Sequence, residues 1–309
     1  RFKRWMYARA GRIVVNSPDF LPFLDSYGVD PRKVQVIPNG VDPRLFDPED
    51  RGAALRHAWQ AEDRFVVVYA GALGPANALE VALDAAERLR GSAALFVLVG
   101  DGKARLDLMR RARERGLENV RFVGALPKDE MPRVLAAADA CLATLRDIPL
   151  FRTTYPNKVF DALAAARPVL LLIDGVIREV VEEAGAGLFV RPGDGAALAE
   201  AVQRLMRDPE GAREMGRRGR SAVLERFDRR EHAAAFEALF RERIEEGEGR
   251  RRRRTLGVSR PARQRGLGAV AEPHRLARAA AGRLEPREIA ERHGHQVARD
   301  PGLALADLE

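Results

Sequence analysis

The sequence has a single cysteine, Cys141, which excludes a disulfide framework and any cysteine-rich zinc site. Long hydrophobic runs are missing. The longest purely aliphatic one is Val169 to Ile173, far short of the ~20 apolar residues a membrane-spanning helix needs. No secretory leader opens the chain, and its first residue is Arg1 rather than Met, so an upstream stretch that is missing or processed is expected. Lysine is scarce, with 5 Lys against 48 Arg, a bias expected of GC-rich DNA. What remains is a chain of 309 residues, 46% hydrophobic, with a formal net charge of +8. At roughly 100–200 residues per domain this length allows two domains, and a cytoplasmic, α/β-rich protein is expected.

The charge is unevenly spread. Residues 247–309 hold 14 Arg and 8 acidic residues, a net +6, leaving only +2 for the first 246. This tail lacks Phe, Tyr, Trp, Lys, Met and Cys and opens on the run Arg250 to Arg254. With so little apolar surface to bury, it is expected to be disordered or loosely helical. Five arginines in a row could hold nucleic acid or an anionic lipid surface, but a solvated charge run is the favoured reading. Out-of-frame GC-rich DNA would give the same Arg, Ala, Gly and Pro bias, so the tail is also open to a non-native reading.

The ordered part alternates regularly. Apolar strands are expected at 13–16 and 33–37, with a helix over 18–30 that starts after Ser17. A polar, linker-like stretch follows over 43–62. Six strand–helix units come next, with strands at 65–69, 94–99, 120–123, 140–143, 169–173 and 188–190. Helical patterns follow them at 77–90, 103–116, 128–138, 157–166, 176–184 and 195–207. Continuous apolar strands alternating with amphipathic helices predict a parallel sheet covered on both faces, hence a doubly wound, Rossmann-like α/β domain. Closing helices are expected over about 209–245.

In such a sheet a ligand sits outside the carboxyl ends of the strands. The segments there read Gly71-Ala-Leu-Gly74, Gly100-Asp-Gly102, Gly124-Ala-Leu-Pro127, Thr144 to Lys158, and Asp174-Gly175 leading to Glu179. Glycine loops feeding helix N-termini favour an anion such as a diphosphate. The G-x-G-x-x-G fingerprint is absent after the first strand, and no acidic residue closes the second, which argues against a dehydrogenase.

Several tracts together resemble glycosyltransferase family 4. Val36-Ile-Pro-Asn-Gly-Val-Asp42 with Phe46 is similar to its interdomain linker. Tyr69 to Gly74, Val99 to Gly102 and Val120 to Gly124 resemble its first donor-domain turns. Leu150 to Lys158 and Val159 to Ala164 are similar to the branch that builds O-antigen and capsule, and Gly185 to Gly193 resembles the turn before the closing helices. The resemblance covers about 10–245 and implies the GT-B architecture, in which an amino domain binds acceptor and a carboxyl domain binds a nucleotide sugar. The implied division is an amino-domain remnant at 1–17, helix and linker at 18–62, donor domain at 63–207, closing helices at 208–246 and the tail at 247–309. With most of the amino domain outside the chain, donor recognition is expected here and turnover is not.

The reaction implied is sugar transfer from a nucleoside diphosphate, UDP foremost, with retention at the anomeric carbon, to a saccharide or lipid-linked acceptor. Negative charge grows on the leaving diphosphate, and positive groups stabilise it. The Arg and Lys that the family often carries after the first donor-domain strand are absent from 71–80. Lys158 is the foremost replacement, followed by Arg152 and Arg146, with a surface role as the competing reading for each. Of the family's two glutamates seven residues apart, the second falls on Asp161, expected to accept ribose hydroxyls, and the first on Thr153. Gly71, Leu73, Gly74, Gly100, Asp101, Thr153, Thr154, Tyr155, Asn157 and Glu179 are expected to line the donor. Val123 and Leu126 are expected to offer backbone groups to the base. Neither a metal nor an organic cofactor is expected, nor a ligand role for His57 or His232. Contact with the inner membrane face is implied by the branch, and no nucleic-acid partner is expected. Two alternatives stay open: a non-hydrolysing nucleotide-sugar epimerase, for which no carboxylate–His set is seen, and a noncatalytic module whose basic tail holds RNA or membrane.

Overall fold

A computed structural model describes residues 1–255, with side chains through residue 245. Two sheets are present. The first pairs β1 (Ile13–Val15) with β2 (Val34–Val36) in parallel, flanked by α1 (Phe2–Arg9) and α2 (Phe20–Ser26). A short α3 (Ala53–Ala58) precedes the second sheet. That sheet is formed by β3 (Phe65–Ala70), β4 (Ala94–Val99), β5 (Val120–Val123), β6 (Ala140–Thr144), β7 (Val169–Leu172) and β8 (Gly187–Phe189). Its order is β5-β4-β3-β6-β7-β8, parallel throughout. This is the doubly wound order, with the direction of winding reversed between β3 and β6.

The helices are α4 (Glu80–Arg88), α5 (Arg105–Glu114), α6 (Met131–Ala136), α7 (Pro149–Arg152), α8 (Asn157–Ala164), α9 (Val176–Glu183), α10 (Gly195–Arg207), α11 (Pro209–Arg226) and α12 (Arg229–Thr255). Strand alternation sends successive side chains to opposite faces. Val67, Tyr69, Phe96, Leu98, Leu142 and Leu170 therefore pack on one side with α4, α5 and α10. Val66, Val68, Val97, Cys141 and Leu171 pack on the other with α6, α8, α9 and α11. Both faces are covered at the central strands, which therefore read as near-continuous apolar runs, while the edge strand β5 exposes Arg121.

The stretch expected to be linker-like over 43–62, with Gly40 before it, is fastened to the lobe of the six-stranded sheet by arginines that donate to main-chain carbonyls. Arg220 reaches Phe46 O at 3.0 Å, Pro43 O at 3.2 Å, and Ala164 O. Arg229 bonds Gly40 O at 3.0 and 2.6 Å. The buried Arg167 takes Leu135 O at 3.1 Å, Ala136 O at 3.0 Å, and Asp50 O. Helix α12 runs through Arg250 to Arg254 to end at Thr255, so the start of the expected tail is helical in its backbone. The rest of the tail, 256–309, lies outside the described residues. Among the described residues no helix is long and apolar enough to cross a membrane.

Candidate functional site

At the carboxyl end of the sheet the chain leaving β3 turns to α4 on one face, and the chain leaving β6 turns to α8 on the other. A crevice opens where such paths diverge. Its two walls are stitched together: Arg146 donates its main-chain N–H to Ala76 O at 2.9 Å and its Nε to Pro75 O at 2.8 Å. Behind them the glycine turns after β3 and β4 abut. A Cβ on Gly100, whose φ is +139°, would collide with Gly71 O, and one on Gly102 would come within 2.6 Å of Leu73 O. These glycines are required by close approach of backbone to backbone. Their N–H groups are largely used within the turns: Gly71 N bonds Val99 O at 3.0 Å, Leu73 N bonds Asp101 O at 2.8 Å, and Gly100 N bonds Val123 O at 3.0 Å. At these positions the turns supply shape more than free donors.

The cation in this crevice is Lys158, at the first turn of α8. Its ammonium donates to Tyr69 Oη at 2.9 Å and to Asn77 Oδ1 at 2.9 Å, and lies 4.3 Å from the centroid of the Tyr69 ring. Both partners are neutral. Among the described residues no carboxylate pairs with it. Burial therefore pulls its pKa down to about 8, because nothing nearby compensates the lost hydration. Asp161, one turn further along α8, is moved by burial in its own direction, up to about 6, with the charges of Arg229 and Lys128 pulling partly back. Both are titratable groups perturbed by burial on one helix, and such groups cluster at ligand sites.

The remaining expected residues divide clearly. Gly71 lies against Lys158, a Cβ there being 3.6 Å from Nζ. Gly74 starts the turn that carries Asn77. Leu73 is fully buried, so only its backbone reaches the turn. Asp101 bonds the N–H of Gly102 at 2.8 Å, and Asn157 is exposed at the start of α8. Arg152 is held by Asp147 at 2.8 and 3.0 Å, and its carbonyl packs against Gly175. Thr153 and Thr154 bond back to Leu150 O at 2.9 Å and Phe151 O at 2.8 Å. Tyr155 turns its ring into the core against Phe160 and Phe227, while its carbonyl accepts from Asn39 Nδ2 at 2.7 Å. Val123 ends β5 half-buried, Leu126 is exposed in the loop beyond it, and Glu179 is exposed on α9. His57 pairs with Glu62 at 2.6 Å on the surface, and half-buried His232 sits under Gly40. Among the described residues no cluster of His, Cys, Asp and Glu could hold a metal ion.

Sequence reasoning did not single out Tyr69 and Asn77, the two partners of Lys158. Tyr69 reads as an apolar strand position, and Asn77 stands in a short 3-10 turn after Pro75. The signal available was Tyr69 at the last inward position of the first strand, where a polar tip needs a partner.

The family model described as "Glycosyl transferases group 1" matches residues 64–208, and that described as "Glycosyltransferase Family 4" matches residues 1–45. The chain belongs to the glycosyltransferases. A D-inositol 3-phosphate glycosyltransferase of Nocardia farcinica is 31% identical over 227 residues, 70% of this chain and 49% of that protein. A 2-deoxystreptamine glucosyltransferase of Streptomyces kanamyceticus is 28% identical, over 78% of this chain and 63% of that protein. Among solved structures, Anabaena HepE in complex with UDP superposes with a TM-score of 0.66 at 22% identity, covering 75% of this chain and 64% of that one. Sucrose-phosphate synthase of Thermosynechococcus elongatus gives 0.68 at 24% identity, covering 79% and 61%. The fold is that of GT-B glycosyltransferases. This chain spans roughly half of the first curated relative, 49% of its length.

Proposed function

We propose that the crevice binds a nucleoside diphosphate sugar, a UDP-sugar foremost, with the ammonium of Lys158 against the diphosphate and Asp161 accepting from ribose hydroxyls. The single observation that carries this is a buried ammonium held only by neutral oxygens at the switch point of the sheet, a seat for an anion. In the transfer reaction the same ammonium would stabilise the charge that grows on the departing diphosphate, with retention at the anomeric carbon. The acceptor is a saccharide or a lipid-linked saccharide. Donor binding is the activity proposed for these residues by themselves. Transfer is proposed only together with an acceptor-binding domain, of which β1, β2 and their helices represent a part. Neither a metal nor an organic cofactor enters the proposal, and nucleic acid is not a proposed partner.

A peripheral contact with an anionic membrane face belongs to the same reading. It is supported by α1, where exposed Phe2, Trp5 and Met6 stand among Lys3, Arg4 and Arg9 with no acidic residue.

Titration calorimetry with UDP tests the donor seat. Replacing Lys158 by Ala removes one charge-assisted bond of ~1.5–3 kcal/mol, so UDP affinity should fall about ten- to hundredfold. Equal affinity in Lys158→Ala and wild type would refute the seat.

A further inference from the structure

The two oxygens that hold Lys158 differ from an ordinary ion-pair partner in a way that has a functional meaning. Tyr69 is fully buried at the end of β3, and its hydroxyl donates to Ala72 O at 2.8 Å. The proton is therefore directed at Ala72, and an oxygen lone pair is directed at the ammonium. Burial raises the pKa of Tyr69, so this oxygen stays neutral. Asn77 supplies a second neutral oxygen from the turn that Gly74 begins, at 2.9 Å. An ammonium has three donors, and two are thus occupied on the protein side. On another side stands Gly71 (φ +151°), where a side chain would begin 3.4 Å from Tyr69 Oη and 3.6 Å from Lys158 Nζ. A side chain there would stand in van der Waals contact with the ammonium, and glycine keeps that side clear of one.

We propose that Tyr69 and Asn77 are positioning residues for donor binding: they hold the Lys158 ammonium by dipoles alone, leaving its third N–H and its whole charge for the diphosphate. This rests on the donor seat proposed above. A carboxylate at position 77 would keep the geometry and cancel the charge. Phe at position 69 would keep the packing and remove one of the two oxygens. The cation would then be free to rotate out of the crevice.

The test uses the whole chain, with UDP and uridine titrated in parallel into wild type, Asn77→Asp, Tyr69→Phe and Lys158→Ala, and thermal unfolding recorded for each. Asn77→Asp should weaken UDP at least about tenfold while raising the unfolding temperature, because a buried cation gains a counter-ion. Tyr69→Phe should weaken UDP about fivefold, the worth of one hydrogen bond. Uridine, which lacks the diphosphate, should bind all four proteins alike. Weaker UDP in a more stable protein is the result that a merely structural role for Asn77 does not produce. If Asn77→Asp and Tyr69→Phe both bind UDP as wild type does, while Lys158→Ala does not, the positioning role is overturned and the seat stands. If the two variants lose uridine as much as UDP, they act through general damage and the positioning role is again overturned. If Lys158→Ala binds UDP normally, the seat itself is wrong and the positioning role falls with it.

Discussion

Raising the pH should switch off the donor seat well below the range where a lysine normally loses its proton. The pKa of Lys158 lies at about 8, against an ordinary value of 10.5, with burial as the cause. Arg152 pairs with Asp147, and on α9 Arg178 pairs with Asp174 and Glu182, while among the described residues no carboxylate pairs with the ammonium. With a pKa of about 8 the group is roughly 90% ammonium at pH 7 and roughly 10% at pH 9. If only the ammonium binds the diphosphate, UDP affinity should fall about ninefold between those values, with the free protein taking up a proton on binding. A lysine at 10.5 would stay about 97% charged at pH 9 and show almost no change. The terminal phosphate is ionised throughout, its second pKa lying near ~6. The assay is calorimetric titration of UDP at half-unit steps from pH 6.5 to 9.5, with Lys158→Arg as the reference. Arginine stays charged over the whole range, so the ratio of wild-type to variant affinity cancels any titration of the ligand. A ratio that stays flat through pH 9 would refute the argument that burial without a counter-charge lowers this pKa.

Three other outcomes are expected. Gly100→Ala places a methyl group on Gly71 O at a left-handed φ and should cost roughly 2–4 kcal/mol, read as a lower unfolding temperature in a thermal scan. Asp161→Asn bears on a carboxyl whose pKa is raised in the fold to about 6 from 3.8, so the native carboxylate is a cost that appears as pH rises through that window. The variant should be more stable than wild type at pH 7, by on the order of 1–2 kcal/mol, and no more stable at pH 3.5, while binding UDP less tightly. Co-sedimentation with vesicles should show binding to phosphatidylglycerol and not to phosphatidylcholine, weakened about tenfold by Trp5→Ala with Phe2→Ala. Equal binding to both lipids would remove the membrane contact.

The sheet was legible because its central strands are buried on both faces: Ala94–Val99 and Val169–Leu172 fall where apolar continuity puts them, while the edge strand Val120–Val123 exposes Arg121. Helix ends were less legible. The pattern over 77–90 resolves into a 3-10 turn at Pro75–Asn77 and α4 from Glu80, because Pro75 and the left-handed Ala78 delay the helix in a way periodicity does not register. α1, α3 and α7 were not anticipated: α3 and α7 lack enough turns to show a period, and α1 buries none of its residues and so has no apolar face to read. Lys158 and Asp161 were singled out through a resemblance of motif order. Their environment was not, since burial of an ammonium against Tyr69 depends on pairing residues 89 positions apart. The same holds for the arginines that bind main-chain carbonyls, which look like solvated charge in the sequence and act as fasteners in the fold.

Those fasteners also locate a mechanical joint. Ile37 gives its N–H to Val15 O at 2.9 Å on the β1 side, whereas Val41 gives its own to Phe227 O at 3.0 Å on the donor side. Between these two anchors lie Pro38, Asn39 and Gly40, next to the return crossing at Asp228, which bridges to Val41. Two of the three are already tied across, Asn39 to Tyr155 O and Gly40 O to Arg229. A crossing this short, with two of its three residues clamped, makes a stiff joint between the two sheets. The long segment after it belongs mechanically to the lobe of the six-stranded sheet, as ballast belongs to a hull.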